Sequence, residues 1–119
     1  SRSASASEQL TVQALAAEIE QGRAPLILDV RSPEEYAEGH IPGAVNIPFR
    51  EMPDQLNKLR QLSSQLDGEP GEVIIYCERG VRANIAEQSL IEAGFTTTIQ
   101  LTGHMKAWRD GNLPIETGK

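Results

Sequence analysis

Cys77 is the one cysteine in 119 residues, and its surroundings suit covalent chemistry. It follows the apolar run Val73-Ile74-Ile75-Tyr76 and precedes Glu78-Arg79-Gly80-Val81-Arg82-Ala83-Asn84. A buried structural cysteine normally sits inside an apolar run, whereas this one stands at the edge of one, with charges close behind it. The apolar run predicts a strand, and a helix is expected from about Arg82 to Ala93. The connection between them must curl back within a few residues, and Gly80 supplies the backbone freedom for that curl. The N–H groups of residues 78 to 82 then point inward, and the helix start adds positive potential. Such an anion cradle with sulfur at its rim favours the thiolate, which is the nucleophile. Arg79 and Arg82 add positive charge, and Glu78 opposes them unless it points outward.

Loop length separates the chemistries open to such a cysteine. Four residues stand between Cys77 and Arg82. The cysteine phosphatase loop has one more, which lets it encircle a tetrahedral oxyanion. The shorter loop makes a smaller cradle, better suited to a single added sulfur atom. One cysteine allows no intrachain disulfide framework, no cysteine-rich zinc site and no self-resolving dithiol. A persulfide on Cys77 would meet no internal thiol within a monomer, so it would persist until an acceptor arrives. His40 and His104 are the two histidines, and no carboxylates are spaced with them as metal ligands, so no metal is expected.

The rest of the chain supplies elements that can hold this loop. Thr11 is expected to cap a helix with Val12, Leu15, Ala16 and Ile19 on its apolar face and Gly22 as its stop. Leu26 to Val30 reads as a buried parallel strand. Ser32, Pro33 and Glu35 form a capping box with proline at the first helical position, and Gly39 ends that helix. Val45 to Ile47 is a short strand, and Leu56, Leu59, Leu62 and Leu66 recur at helical spacing within a helix expected from Met52. Asp67 to Gly71 breaks the pattern. Phe95 to Leu101 is a further strand, and Thr102 is expected to cap a last helix through Trp108, ended by Gly111. Alternation of this kind implies an α/β fold with a parallel sheet and helices on both faces. Ligands in such sheets bind at the carboxyl ends of the strands.

Composition narrows the partners. A net charge of −6 without a Lys/Arg run argues against nucleic acid. No apolar run approaches the ~20 residues that a membrane-spanning helix requires. Residues 1–7 (S-R-S-A-S-A-S) are small and polar and are expected to form a disordered tail, with one domain over 8–119. The compartment stays open: cytoplasm is favoured, and periplasm is the alternative if a signal peptide was removed.

Three blocks together resemble the rhodanese family in its single-domain form. The first is Leu28-Asp29-Val30-Arg31-Ser32-Pro33-Glu34-Glu35-Tyr36, and the second runs from Gly39-His40-Ile41-Pro42-Gly43 to Pro48. The third is Tyr76 to Ala83, followed by Leu101-Thr102-Gly103-His104-Met105-Lys106-Ala107-Trp108. The resemblance implies a three-layer fold with a central parallel sheet of about five strands. It also implies sulfur transfer from thiosulfate or a similar donor through a Cys77 persulfide. Cyanide, a small thiol or a protein thiol would accept the sulfur, with no cofactor. Cys77 matches the nucleophile, and Glu78, Arg79, Gly80, Val81 and Arg82 match the cradle, with Arg79 where a basic residue meets the donor's sulfonate. Asp29 and Arg31 match a supporting D-x-R element. Glu78 and His104 depart from the pattern, His104 standing where many members carry a second glycine. It could lie near the loop or cover a helix start, and the structural role is favoured. His40 is read as a turn residue, and Trp108 and Met105 as core. A binding module or a persulfide carrier is the competing reading, with arsenate reductase or phosphatase behind it. A monomer is the default.

Overall fold

The computed structural model describes residues 9–65 and 72–119. The expected tail and the breaker at 67–71 lie outside the described residues. Five parallel strands form one sheet: β1 (Gln9–Leu10), β2 (Leu26–Asp29), β3 (Val45–Asn46), β4 (Glu72–Tyr76) and β5 (Thr97–Leu101). Their order across the sheet is β1-β5-β4-β2-β3, so β4 is central. β2 pairs with β4 from Leu26 opposite Val73 to Asp29 opposite Tyr76.

The strands form where the chain offers short apolar runs that can be covered on both faces. Every residue of β2 and β4 is buried. Fully burying one Val, Leu or Ile side chain contributes about 1.5–3 kcal/mol, so these two strands anchor the fold. One core layer joins Leu28, Ile75 and Cys77 of the sheet side to Ala83, Ala86 and Leu90 of α4 (Val81–Glu92) and Leu59 of α3 (Leu56–Gln65). The opposite layer joins Ile27, Ile74 and Ile99 to Leu15 of α1 (Val12–Glu20) and to Met105 and Trp108 of α5 (His104–Asp110). Tyr36 of α2 (Pro33–Glu38) packs against that second layer. Met105 and Trp108 are core residues, each 1% exposed.

Most of the expected helix signals act as read. Thr11 accepts the Ala14 N–H at 3.1 Å and caps α1. Ser32 and Glu35 form the capping box of α2 around Pro33. Two expectations need correction. Thr102 does not cap α5: the cap position is Gly103, at φ 78°, with no side-chain hydrogen bond. The helix expected from Met52 opens instead as a 3-10 helix, Phe49–Gln55, containing Pro53, which lacks an N–H to continue an α-helix. α4 starts at Val81, four residues after Cys77, in keeping with the short connection expected, and three residues stand between them.

This topology decides where a ligand can sit. From β2 the chain moves outward to β3, then returns to β4 on the other side of β2. The order reverses between β2 and β4, and ligands bind at the carboxyl ends of strands at such a point. Arg31 follows β2, Cys77 follows β4 and His104 follows β5, all at that edge.

Candidate active site

The loop after β4 folds back on its own cysteine. Cys77 is 1% exposed, and its Sγ accepts the Gly80 N–H at 3.0 Å and the Ala83 N–H at 3.4 Å. Gly80 makes the curl at φ 130°, a conformation that residues with side chains rarely adopt. Of the amides expected to converge, that of Gly80 does so. Ala83, one residue beyond the expected range, supplies another from the first turn of α4. The twelve-residue α4 directs its N-terminus, with its partial positive charge, at the sulfur.

Val81 is 74% exposed, so its contribution to a cradle would be its backbone alone. Arg82 turns to Glu35 of α2, with Nη1 to Oε1 at 2.6 Å and Nη2 to Oε2 at 3.1 Å. Those bonds from Arg82, with help from Ser32, hold the Glu35 carboxyl down at about 2. Glu35 thereby caps α2 and fixes the residue that closes the cysteine loop. Glu78 bonds the Arg109 guanidinium and lies 3.7 Å from Nη1 of Arg31. Its carboxylate is thus drawn toward two cations of the cleft. Arg79 is exposed beside α5, where its charge helps to keep the Asp110 carboxyl below the usual range, after the larger effect of Lys106.

Beneath the loop, Asp29 and Arg31 form a buried knot. Arg31 donates through Nε to Oδ1 at 3.0 Å and through Nη2 to Oδ2 at 2.7 Å, and its backbone N–H reaches Oδ1 at 2.9 Å. Tyr76 donates its hydroxyl to Oδ2 at 2.8 Å and accepts the Ile41 N–H at 3.1 Å. Burial and the Asp29 charge push the Tyr76 phenol well above its ordinary range, so it remains a donor. Arg31 also reaches the Gly39 carbonyl at 2.7 Å, tying the end of α2 to the end of β2. Arg31, Glu35, Glu78 and Arg109 line one cleft of about 400 Å³ beside the loop.

Both histidines are buried. His40 stacks on Tyr36 at 3.6 Å, and its Nδ1 lies 2.7 Å from the Tyr36 carbonyl, which suits a turn residue. His104 opens α5, and its Nδ1 accepts the Cys77 N–H at 3.2 Å. Burial pulls its imidazole below the ordinary range and keeps it neutral. Sequence reasoning left open whether His104 lies near the loop, and the structure places it directly under Cys77. Among the described residues, no group of three His, Cys, Asp or Glu side chains could hold a metal ion. None of the helices is long and apolar enough to cross a membrane, again among the described residues.

The family profile described as Rhodanese-like domain matches residues 11–110. The chain belongs to the rhodanese-like family. Thiosulfate sulfurtransferase 16, a chloroplastic protein of Arabidopsis thaliana, is 37% identical to this rhodanese-like chain over 94 residues, which cover 75% of the chain and 78% of the relative. A sulfurtransferase of Allochromatium vinosum is 31% identical over 90 residues, covering 76% and 77%. The chain spans about half the length of several other curated relatives that it matches. A rhodanese-like domain protein from Staphylococcus aureus superimposes with a TM-score of 0.70 at 30% identity, over 92% of this chain and 99% of the other.

Proposed function

We propose that this chain is a sulfurtransferase that carries sulfane sulfur as a persulfide on Cys77. One observation carries the reading: two backbone N–H groups and a helix N-terminus converge on the Cys77 sulfur. Donors fixed before the reaction stabilise charge without reorganising when it arrives. The relatives named as sulfurtransferases supply the reaction class.

The Cys77 thiolate attacks the outer sulfur of thiosulfate. A new S–S bond forms, the bond to the sulfonate sulfur breaks, and sulfite leaves with that electron pair. The enzyme holds the outer sulfur as a persulfide anion. Cyanide or a thiolate then attacks this terminal sulfur, and Cys77 departs as the thiolate. The cycle is ping-pong, and no external oxidant or reductant enters. Arg79, the loop arginine that Glu35 does not engage, is assigned to the donor's sulfonate. Asp29 and Arg31 support the neighbouring strand end.

Intact-protein mass spectrometry after thiosulfate and desalting tests this reading. A gain of one sulfur atom is expected, reversed by cyanide and absent in Cys77→Ser. A folded protein with a free thiol and no gain from any sulfur donor would leave the binding-module reading standing.

A further inference from the structure

His104 opens α5 with φ at 56°, in the left-handed region that most residues with a side chain avoid. It is 6% exposed. Its Nδ1 accepts a backbone N–H, so the proton of the neutral ring is on Nε2. A Cβ built on Gly80 would stand 3.2 Å from that Nε2 and 3.5 Å from Cδ2. One imidazole therefore underlies the loop from its first residue to the glycine whose N–H reaches Sγ. The α5 backbone holds the start of the loop, Met105 N–H to the Cys77 carbonyl at 3.0 Å and Lys106 N–H to the Glu78 carbonyl at 3.3 Å, which leaves Gly80 at its end, the residue with the most freedom to lose, to the ring.

We propose that His104 is a positioning residue for sulfur transfer: its neutral imidazole clamps the Cys77 and Gly80 backbones, so that the Gly80 N–H stays aimed at the Cys77 sulfur. The role rests on the sulfurtransferase reading and acts through the backbone. Without the ring, the buried Cys77 N–H loses its acceptor, and Gly80 loses the surface it packs on. A ring that merely filled space would not need an unprotonated Nδ1 at 3.2 Å from that N–H.

Two substitutions divide these roles. His104→Gly removes the ring and suits the left-handed backbone. His104→Asn also tolerates that backbone, and its Oδ1 lies as many bonds from Cβ as Nδ1 does, so it can accept the same N–H. Thiosulfate-to-cyanide transfer and amide hydrogen exchange are measured for both, below their unfolding midpoints. His104→Gly is expected to lower kcat about tenfold, short of the ~10²–10³ seen when a charge-stabilising donor is removed outright. The thiosulfate KM should stay unchanged, and the Cys77 and Gly80 amides should exchange faster. His104→Asn should restore most of both. An unchanged kcat in His104→Gly, or equal losses in the two variants, would overturn the clamp. Should the variants not fold, ¹⁵N NMR of the wild-type ring decides: an unprotonated Nδ1 coupled to the Cys77 amide supports the clamp, and a protonated Nδ1 overturns it. If the wild-type chain takes up no sulfur, the sulfurtransferase reading fails, and amide exchange in the resting protein judges the clamp separately.

Discussion

The ends of β2 and β4 lie side by side and manage charge in opposite ways. After β2, Asp29 and Arg31 meet as full charges, 0% and 3% exposed, and Tyr76 adds another hydrogen bond to the carboxylate. After β4, the cysteine is served by backbone amides, and the nearby formal charges are taken up elsewhere, Arg82 by Glu35 and Glu78 by Arg109. A buried pair is satisfied within itself and leaves little to offer a ligand. The two backbone N–H groups at the sulfur carry no formal charge that must itself be neutralised. The knot therefore gives rigidity, and the loop is where the proposed reaction falls.

The largest expected effect tests the knot. Asp29→Ala leaves the Arg31 guanidinium buried without its partner and should cost about 3–5 kcal/mol of stability. Chemical denaturation measures this directly, and a loss below ~1 kcal/mol would mean that the knot is dispensable. Next comes the loop's own cation. Arg79→Ala should raise the thiosulfate KM about tenfold, as expected for one hydrogen bond to a charged group, with the denaturation midpoint unmoved. An unchanged KM would remove Arg79 from the donor site and blur the contrast.

The smallest effect probes the link between the two regions. In Arg82→Ala, the Glu35 carboxyl should rise from about 2 toward its ordinary 4.5. A carboxyl held low in the folded state adds stability above its unfolded value, and that stability is lost as pH falls through the folded value. The wild-type advantage over Arg82→Ala should therefore shrink between pH 4.5 and 2. It should be small and diminish with salt, because Glu35 is a third exposed. Acid titration of unfolding in both proteins checks this, and a difference that grows as pH falls would contradict it.

Local features of this architecture were legible in the sequence. The Thr11 cap, the Ser32–Glu35 capping box and the β4–Cys77–α4 succession all depend on neighbours within a few positions. What escaped depends on distant partners. Gln9–Leu10 is a strand because it pairs with β5, and two residues carry no periodicity of their own. Thr102 looked like a cap because threonine favours that position, yet the chain turns through Gly103. The His104 contact with Cys77 spans 27 positions, Glu35 to Arg82 spans 47 and Glu78 to Arg109 spans 31. Spacing along the chain cannot announce such meetings. Arg82, expected at the cradle, does lie within electrostatic reach of Cys77, but its hydrogen bonds go to Glu35 of α2, a partner its charge did not reveal.

The imidazole beneath the cysteine belongs to the last helix. A domain made from its N-terminus emits Cys77 before His104, and domains fold as units during synthesis. Until α5 docks, the Cys77 N–H lacks its imidazole acceptor and the Cys77 carbonyl lacks the Met105 N–H. On the proposed function, sulfur uptake would then report that the last helix is in place, since that helix holds the first residues of the cysteine loop.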